Sequence, residues 1–226
     1  MELLIRCINY LKRKLEFVKT IFEVGANTGE DIQRYLSDEE NIIYAFEAAP
    51  HLYFELIKRF KNEKRLHLIN SAVDETNGFR KFNISHQAGC HSLHDFIENV
   101  AQDWEGHTEL VHYDYIQNMP CIRLDSFMNL YNIKKIDFLE IDTQGNDWNV
   151  LKSLGDRIDD VVEGKCEAAY NLSLYKTENN WQDVKSWLES KNFEVKLIPH
   201  ETEDVEIDLA FYRKNIFYKI NLQQDF

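Results

Sequence analysis

Apolar runs that alternate with helix-period stretches constrain this chain more than any other feature. Residues 21–24, 42–46, 66–69, 136–141 and 161–166 read as short strands, and most lead into a segment whose apolar residues recur at helical spacing, most clearly at 52–60 and 181–188. Such alternation predicts a parallel sheet with helices on both faces, because each crossover helix must cover the sheet it leaves. The C-terminal part differs: 193–198 and 205–212 are strand-like runs joined by a polar connection with no helix between them. An antiparallel hairpin closing one edge of the sheet is expected there. With 226 residues and no internal repeat or low-complexity linker, the chain reads as a single α/β domain spanning 1–226.

Two segments stand apart. Residues 1–19 place Leu3, Leu4, Ile8, Leu11 and Leu15 at helical spacing, with Arg6, Lys12, Arg13 and Lys14 interrupting any apolar run. This predicts an N-terminal helix packed on its own domain and no integral membrane segment. Residues 79–120 are rich in His, Asn, Gln and aromatics without sustained periodicity, so an irregular insertion that recognises substrate is expected. The formal charge of −13 argues against a nucleic-acid partner. Cys7, Cys90, Cys121 and Cys166 lack metal-site spacing and read as free thiols of a reducing, cytoplasmic setting.

The residues that carry chemistry lie at strand ends. Ile21-Phe22-Glu23-Val24-Gly25-Ala26-Asn27-Thr28-Gly29 is a strand, a glycine turn and a helix start, which frees backbone amides for a ligand. Tyr44-Ala45-Phe46-Glu47 ends the next strand with a carboxylate suited to the two hydroxyls of a ribose. A dinucleotide fingerprint would need glycines where Asn27 and Glu30 stand, so the pair favours S-adenosylmethionine over a nicotinamide cofactor. The run Asp137 to Trp148 delivers Asp142 to the carboxyl end of a buried strand, as a general base, a metal ligand or a cofactor-orienting acceptor, and Asn146 is the better cap for the following helix.

Together these pieces resemble the FkbM family of S-adenosylmethionine-dependent methyltransferases. The resemblance rests on Glu23 to Gly29, on Tyr44-Ala45-Phe46-Glu47-Ala48-Ala49-Pro50, and on Asn70-Ser71-Ala72. It continues through Ser92-Leu93, Arg123-Leu124-Asp125-Ser126-Phe127 and the segment 137–151, in the family's order. Two positions depart from it: Glu23 where Asp is common, and Glu140 where Lys is common. The resemblance implies a Rossmann-like class I methyltransferase, with a seven-stranded, mostly parallel sheet whose C-terminal strand is antiparallel. It implies methyl transfer to a hydroxyl oxygen, often on a sugar or natural product. Glu23, Gly25, Asn27 and Gly29 would surround the methionine end, Glu47 would take the ribose, Ser71, Ala72 and Ser92 would lie near the adenine, and Ala26 and Ala48 would also contact the cofactor.

An unactivated hydroxyl needs a base, or a metal that lowers its pKa. Asp142 is the first candidate, Glu167 the second, and His91, grouped with His94 on one expected helical face, the third. Asp142 and Glu167 could instead hold Mg2+ or Mn2+ through oxygen. Tyr170, Tyr175 and Trp181 could wall a sugar ring. The expected acceptor is a glycan or glycosylated small molecule. The rivals are a nicotinamide-dependent reductase and a non-catalytic binding protein with a degenerate cofactor fold.

Overall fold

The strands expected at 21–24 and 42–46 form side by side as β1 (Lys19–Val24) and β2 (Asn41–Phe46), in parallel register with Phe22 opposite Tyr44 and Val24 opposite Phe46. The computed structural model describes residues 18–98, 112–199 and 205–214, so the helix expected within 1–19 lies almost wholly outside the described residues. Further strands are β3 (Leu66–Ile69), β4 (Ala72–Val73), β5 (Gly78–Ser85), β6 (Tyr113–Ile122), β7 (Ile136–Ile141), β8 (Val161–Ala169), β9 (Phe193–Pro199) and β10 (Glu206–Arg213). The main sheet has seven strands in the order β3-β2-β1-β7-β8-β10-β9. Only β10 runs against its neighbours, pairing antiparallel with both β8 and β9. The expected C-terminal hairpin is therefore present, with its second strand inside the sheet and β9 at the edge.

Side-chain alternation explains why both faces are covered. Phe22, Val24, Phe46, Leu139 and Ile141 point to one face and pack with Phe127 and Met128 of α3 (Leu124–Leu130), Val150 and Leu151 of α4 (Asp147–Lys152), and Val184 and Leu188 of α5 (Trp181–Ser190). Ile21, Ile43 and Ala45 point to the other and meet Ile32 of α1 (Glu30–Leu36) and Leu56 of α2 (Pro50–Arg59). Apolar residues on both sides are what a sheet buried on two faces requires.

The segment 79–120 differs from the irregular insertion expected. Its ends are regular: β5 and β6 pair antiparallel, and β4 adds to β6, giving a second three-stranded sheet in the order β4-β6-β5. Phe82, Ile84, Met119 and Cys121, with Ala72 of β4, pack on Ala48, Ala49 and Leu52, just beyond the end of β2. The second sheet thus roofs one end of the groove formed by the carboxyl ends of β1, β2 and β7.

Candidate active site

Backbone sterics at the end of β1 build the floor of the site. Gly25 has φ +97°, and a Cβ there would stand 1.8 Å from the Asp142 carbonyl oxygen. Only glycine lets β1 and β7 close to this distance. The amides of Gly25 and Ala26 both donate to the Phe46 carbonyl at 3.0 Å, and Asp142 N donates to the Val24 carbonyl at 2.9 Å, so the ends of three strands are tied at one point. Gly29, also left-handed at φ 78°, occupies the N-cap of α1 and packs under Leu56 and Phe60.

Glu47 is almost fully buried and holds the turn from the side. Its Oε2 accepts from Asn27 N and its Oε1 from Ala49 N, both at 2.7 Å. Burial pushes its pKa up to about 7, against the pull of the Ala49 and Asn27 amides. Each carboxylate oxygen keeps a further lone pair that can accept a ribose hydroxyl. Ala48 and Ala72 are buried small residues, and the Ser71 hydroxyl lies 2.8 Å and 3.0 Å from the carbonyls of Ala72 and Pro120. Ser92, a residue expected beside the adenine, donates its hydroxyl to the Gln144 carbonyl at 2.7 Å and accepts from His94 N, clamping the segment after β5 to the turn after β7.

Two cavities meet along this turn, sharing Val24, Gly25, Asn27 and Asp142. The first, of about 570 Å³, runs past Glu47, Ala48, Ala72, Phe82 and Leu93 and is mostly apolar. The second, of about 540 Å³, is lined by Glu23, Glu30, Asp31 and Glu140, all acids. An apolar slot for a purine beside an acidic slot for an ammonium and a sulfonium matches the two ends of S-adenosylmethionine. The buried acceptor Asn27 Oδ1, which has no donor among the described residues, sits between them. The residues present fit the cofactor.

The acidic slot is an electrostatic chain across three strands. Glu23 stands opposite Glu140, which stands opposite Lys165. Burial pushes the Glu23 carboxyl up to about 9, helped by the charges of Asp31 and Glu140, so it carries a proton near neutral pH. Glu140 accepts from the Tyr35 hydroxyl at 2.8 Å and pairs with Lys165 Nζ at 3.1 Å; burial raises its pKa while Lys165 and Tyr35 pull it back. The cation that the family resemblance leads one to expect at position 140 is thus supplied from the adjacent strand.

Asp142 is exposed at the junction of the cavities, and its Oδ1 accepts from Gln144 Nε2 at 2.8 Å. Behind it lies Asp147, a carboxyl that sequence reasoning did not single out. It is fully buried and accepts from Thr143 N, the Thr143 hydroxyl and Glu167 N, joining the ends of β7 and β8. Burial, with the charge of Asp142, pushes it up to about 8. Glu167 is buried close by, its pKa driven well above the usual carboxylate range by burial and then by Asp142 and Glu206. Glu206, at the start of β10, was also missed; burial and Asp142 raise it to about 7.

Several expectations need correction. His91 and His94 do not share a helical face: the short 3₁₀ turn ends at Cys90, and both histidines lie beyond it. His91 Nδ1 accepts from Ser85 N at 3.1 Å, which places its proton on Nε2. Burial, with His51 alongside, holds its pKa down at about 4. With one nitrogen engaged and the other protonated, His91 has no lone pair to offer as a base. Asn146 occupies the N-cap position of α4, yet its side chain bonds Val73 O, His94 Nε2 and Asn149 Nδ2 and caps nothing. Of the expected aromatic wall, Tyr170 and Trp181 lie together at 6.0 Å whereas Tyr175 is buried under the Gln144 turn. Among the described residues no group of three or more His, Cys, Asp or Glu is arranged to hold a metal ion.

Replacing Glu47 tests the ribose assignment. Glu47→Ala is expected to weaken S-adenosylmethionine binding by about 10- to 100-fold, the range for two lost hydrogen bonds to a charged group. In the unaltered protein, ribose hydroxyls favour the ionised carboxylate. Affinity should therefore rise with pH through about 7 and level off above it. Calorimetry across that range that finds neither effect removes Glu47 from the site.

Several solved structures resemble the chain at low identity. Fibrillarin from Aeropyrum pernix, with natively bound S-adenosyl-L-methionine, is 10% identical over 87% of this chain and 66% of its own, TM-score 0.49. Precorrin-6y C5,15-methyltransferase from Geobacter metallireducens is 11% identical over 87% and 80%, TM-score 0.46. TrmK from M. capricolum, bound to S-adenosyl-homocysteine, is 12% identical over 91% and 68%, TM-score 0.43. No curated protein matches the sequence. The model of the methyltransferase FkbM domain matches residues 23–195, from the acid of the first turn to the edge strand of the sheet. The chain therefore belongs to the FkbM family, and it is an S-adenosylmethionine-dependent methyltransferase.

Proposed function

We propose that the chain methylates a hydroxyl oxygen, on a sugar of a glycan or a glycosylated small molecule, with Asp142 as general base. The observation that carries this reading is the position of Asp142: an exposed carboxylate where the two halves of the cofactor groove meet, with the buried Asp147 and Glu167 and the half-buried Glu206 near it held protonated or half-protonated. S-adenosylmethionine supplies an electrophilic methyl on a sulfonium. The protein must align the acceptor oxygen behind that methyl, exclude water and take up one proton. With S-adenosylmethionine held there, the acceptor oxygen would take the methyl as S-adenosylhomocysteine leaves, and the hydroxyl proton would pass to the Asp142 carboxylate. Glu47 and the Gly25 turn grip the nucleoside. Glu23 and Glu140 face the methionine end, where a positive charge on the cofactor would favour ionisation of Glu23. No step is routed through a metal.

The charge of Asp142, with the half-ionised Glu206 near it, repels phosphate, which favours an uncharged acceptor over nucleic acid. The same logic disfavours a nicotinamide dinucleotide, whose pyrophosphate would face Glu30 and Asp31 at the start of α1. The reducing setting proposed for the protein accords with Cys90, Cys121 and Cys166 being free and buried. Among the described residues no helix is long and apolar enough to cross a membrane. Methyl transfer from radiolabelled S-adenosylmethionine should be assayed against a panel of neutral saccharides and glycosides, with RNA as a parallel arm and with and without chelator. Label on a saccharide oxygen, insensitive to chelation, is the expected result; label on RNA alone overturns the reading.

A further inference from the structure

Tyr175 lines neither cavity, yet it is linked to the proposed base by two short hydrogen bonds. Its hydroxyl donates to Gln144 Oε1 at 2.9 Å, and Gln144 Nε2 donates to Asp142 Oδ1 at 2.8 Å. We propose that Tyr175 and Gln144 are positioning residues that hold the Asp142 carboxylate in the orientation needed to deprotonate the acceptor. The kinetic part of this inference rests on the reading of Asp142 as base.

A glutamine amide has two ends of nearly the same shape, and a carboxylate neighbour is served only by the N–H end. Tyr175 decides which end that is. It is 2% exposed, and burial drives its pKa well above the usual phenol range, so it offers a proton at any working pH. A donor at Oε1 forces the N–H₂ group toward Asp142.

The phenol is itself held on every side. Its ring lies on Gly145, where an added Cβ would come within 2.8 Å of it. The ring also stacks on Phe96 at 5.1 Å, and Phe96 stacks on Tyr113 at 4.7 Å. Gln144 takes a left-handed φ of 55° that puts it beside Tyr175, and the Ser92 hydroxyl pins its carbonyl at 2.7 Å. A side chain needed only for packing would not require the hydroxyl. The structure therefore separates the two roles: phenylalanine at 175 keeps the stack and the Gly145 contact and loses only the donor.

Tyr175→Phe in the full chain tests the inference with two readouts. In isotope-labelled protein without cofactor, hydrogen exchange of the Gln144 side-chain amide should quicken about tenfold, because its anchor is gone; unchanged exchange overturns the relay. On whichever saccharide in the panel turns over fastest, Tyr175→Phe should lower kcat about tenfold, modest for a misaligned reacting group. Its affinity for S-adenosylmethionine should stay within twofold. In an Asp142→Asn background the same substitution should change kcat less than twofold, since the group it positions has been disabled. A full tenfold loss in that background overturns the positioning role. Should Asp142→Asn itself turn over normally, the base reading fails while the exchange experiment still judges the relay. Gln144→Leu, which removes both bonds, should give a loss that Tyr175→Phe does not deepen.

Discussion

Gly25→Ala should cost the protein its cofactor and much of its stability in one step. The added Cβ would lie 1.8 Å from the Asp142 carbonyl oxygen and 2.8 Å from its carbon, at a φ of +97° that an L side chain rarely adopts. Relief cannot come from a rotamer change, because the obstacle is backbone. Asp142 N is bonded to the Val24 carbonyl, so moving one strand end drags the other. Strain of this kind belongs with the most damaging substitutions, about 4 kcal/mol or more, equivalent to a thermal midpoint lowered by about 10 °C in a chain of this size. The amides of Gly25 and Ala26, which share the Phe46 carbonyl, would be displaced with it, and the nucleoside groove would close. Gly29→Ala is the control: its Cβ meets the ends of Leu56 and Phe60, which can shift, so its penalty should be smaller. Calorimetry of unfolding and of cofactor binding distinguishes these cases. A Gly25→Ala protein within 3 °C of the parent, on the conversion above, and still binding S-adenosylmethionine would refute the close approach of β1 and β7.

Asp142→Asn should leave the cofactor bound and slow methyl transfer by about 10²- to 10⁴-fold, the usual contribution of a general base. The amide keeps an oxygen for the Gln144 hydrogen bond, so the turn should hold its shape. It has no lone pair basic enough to take the hydroxyl proton. Neighbouring acids do not readily substitute: burial keeps Glu167 protonated well above the ordinary carboxylate range, and Glu206 is raised to about 7. Single-turnover rates with labelled cofactor give the answer directly. A rate within a few-fold of the parent would show that the acceptor loses its proton elsewhere.

The parts of this molecule that could be read from sequence are those where one physical requirement acts locally. Strands buried on both faces need apolar residues throughout, so β1, β2 and β7 announce themselves; Gly25, Glu47 and Asp142 follow because they terminate those strands. The second sheet was hidden. β5 is exposed along its first half, and β6 has its buried positions, Met119 and Cys121, only near its end, so neither shows a sustained period. Roles that depend on register or on distant partners were also out of reach. That Lys165 compensates Glu140 becomes visible only when β7 and β8 are aligned. His91 looks like a base until the backbone of β5 delivers the Ser85 amide to its Nδ1. Tyr175 looks like wall or core until the fold brings its hydroxyl to Gln144.

The reversed direction of β10 bears on how such an enzyme can change. Were it parallel, its first residues would open at the far end of the sheet from the ligand. Running backwards, it brings Glu206 in beside Ala169, at the same rim where β8 releases Glu167. Residues entering the last strand can therefore vary what the rim admits without disturbing the turns of β1 and β2 that grip the nucleoside. On the proposed reading of that rim, acceptor choice and cofactor retention would be inherited through separate stretches of chain.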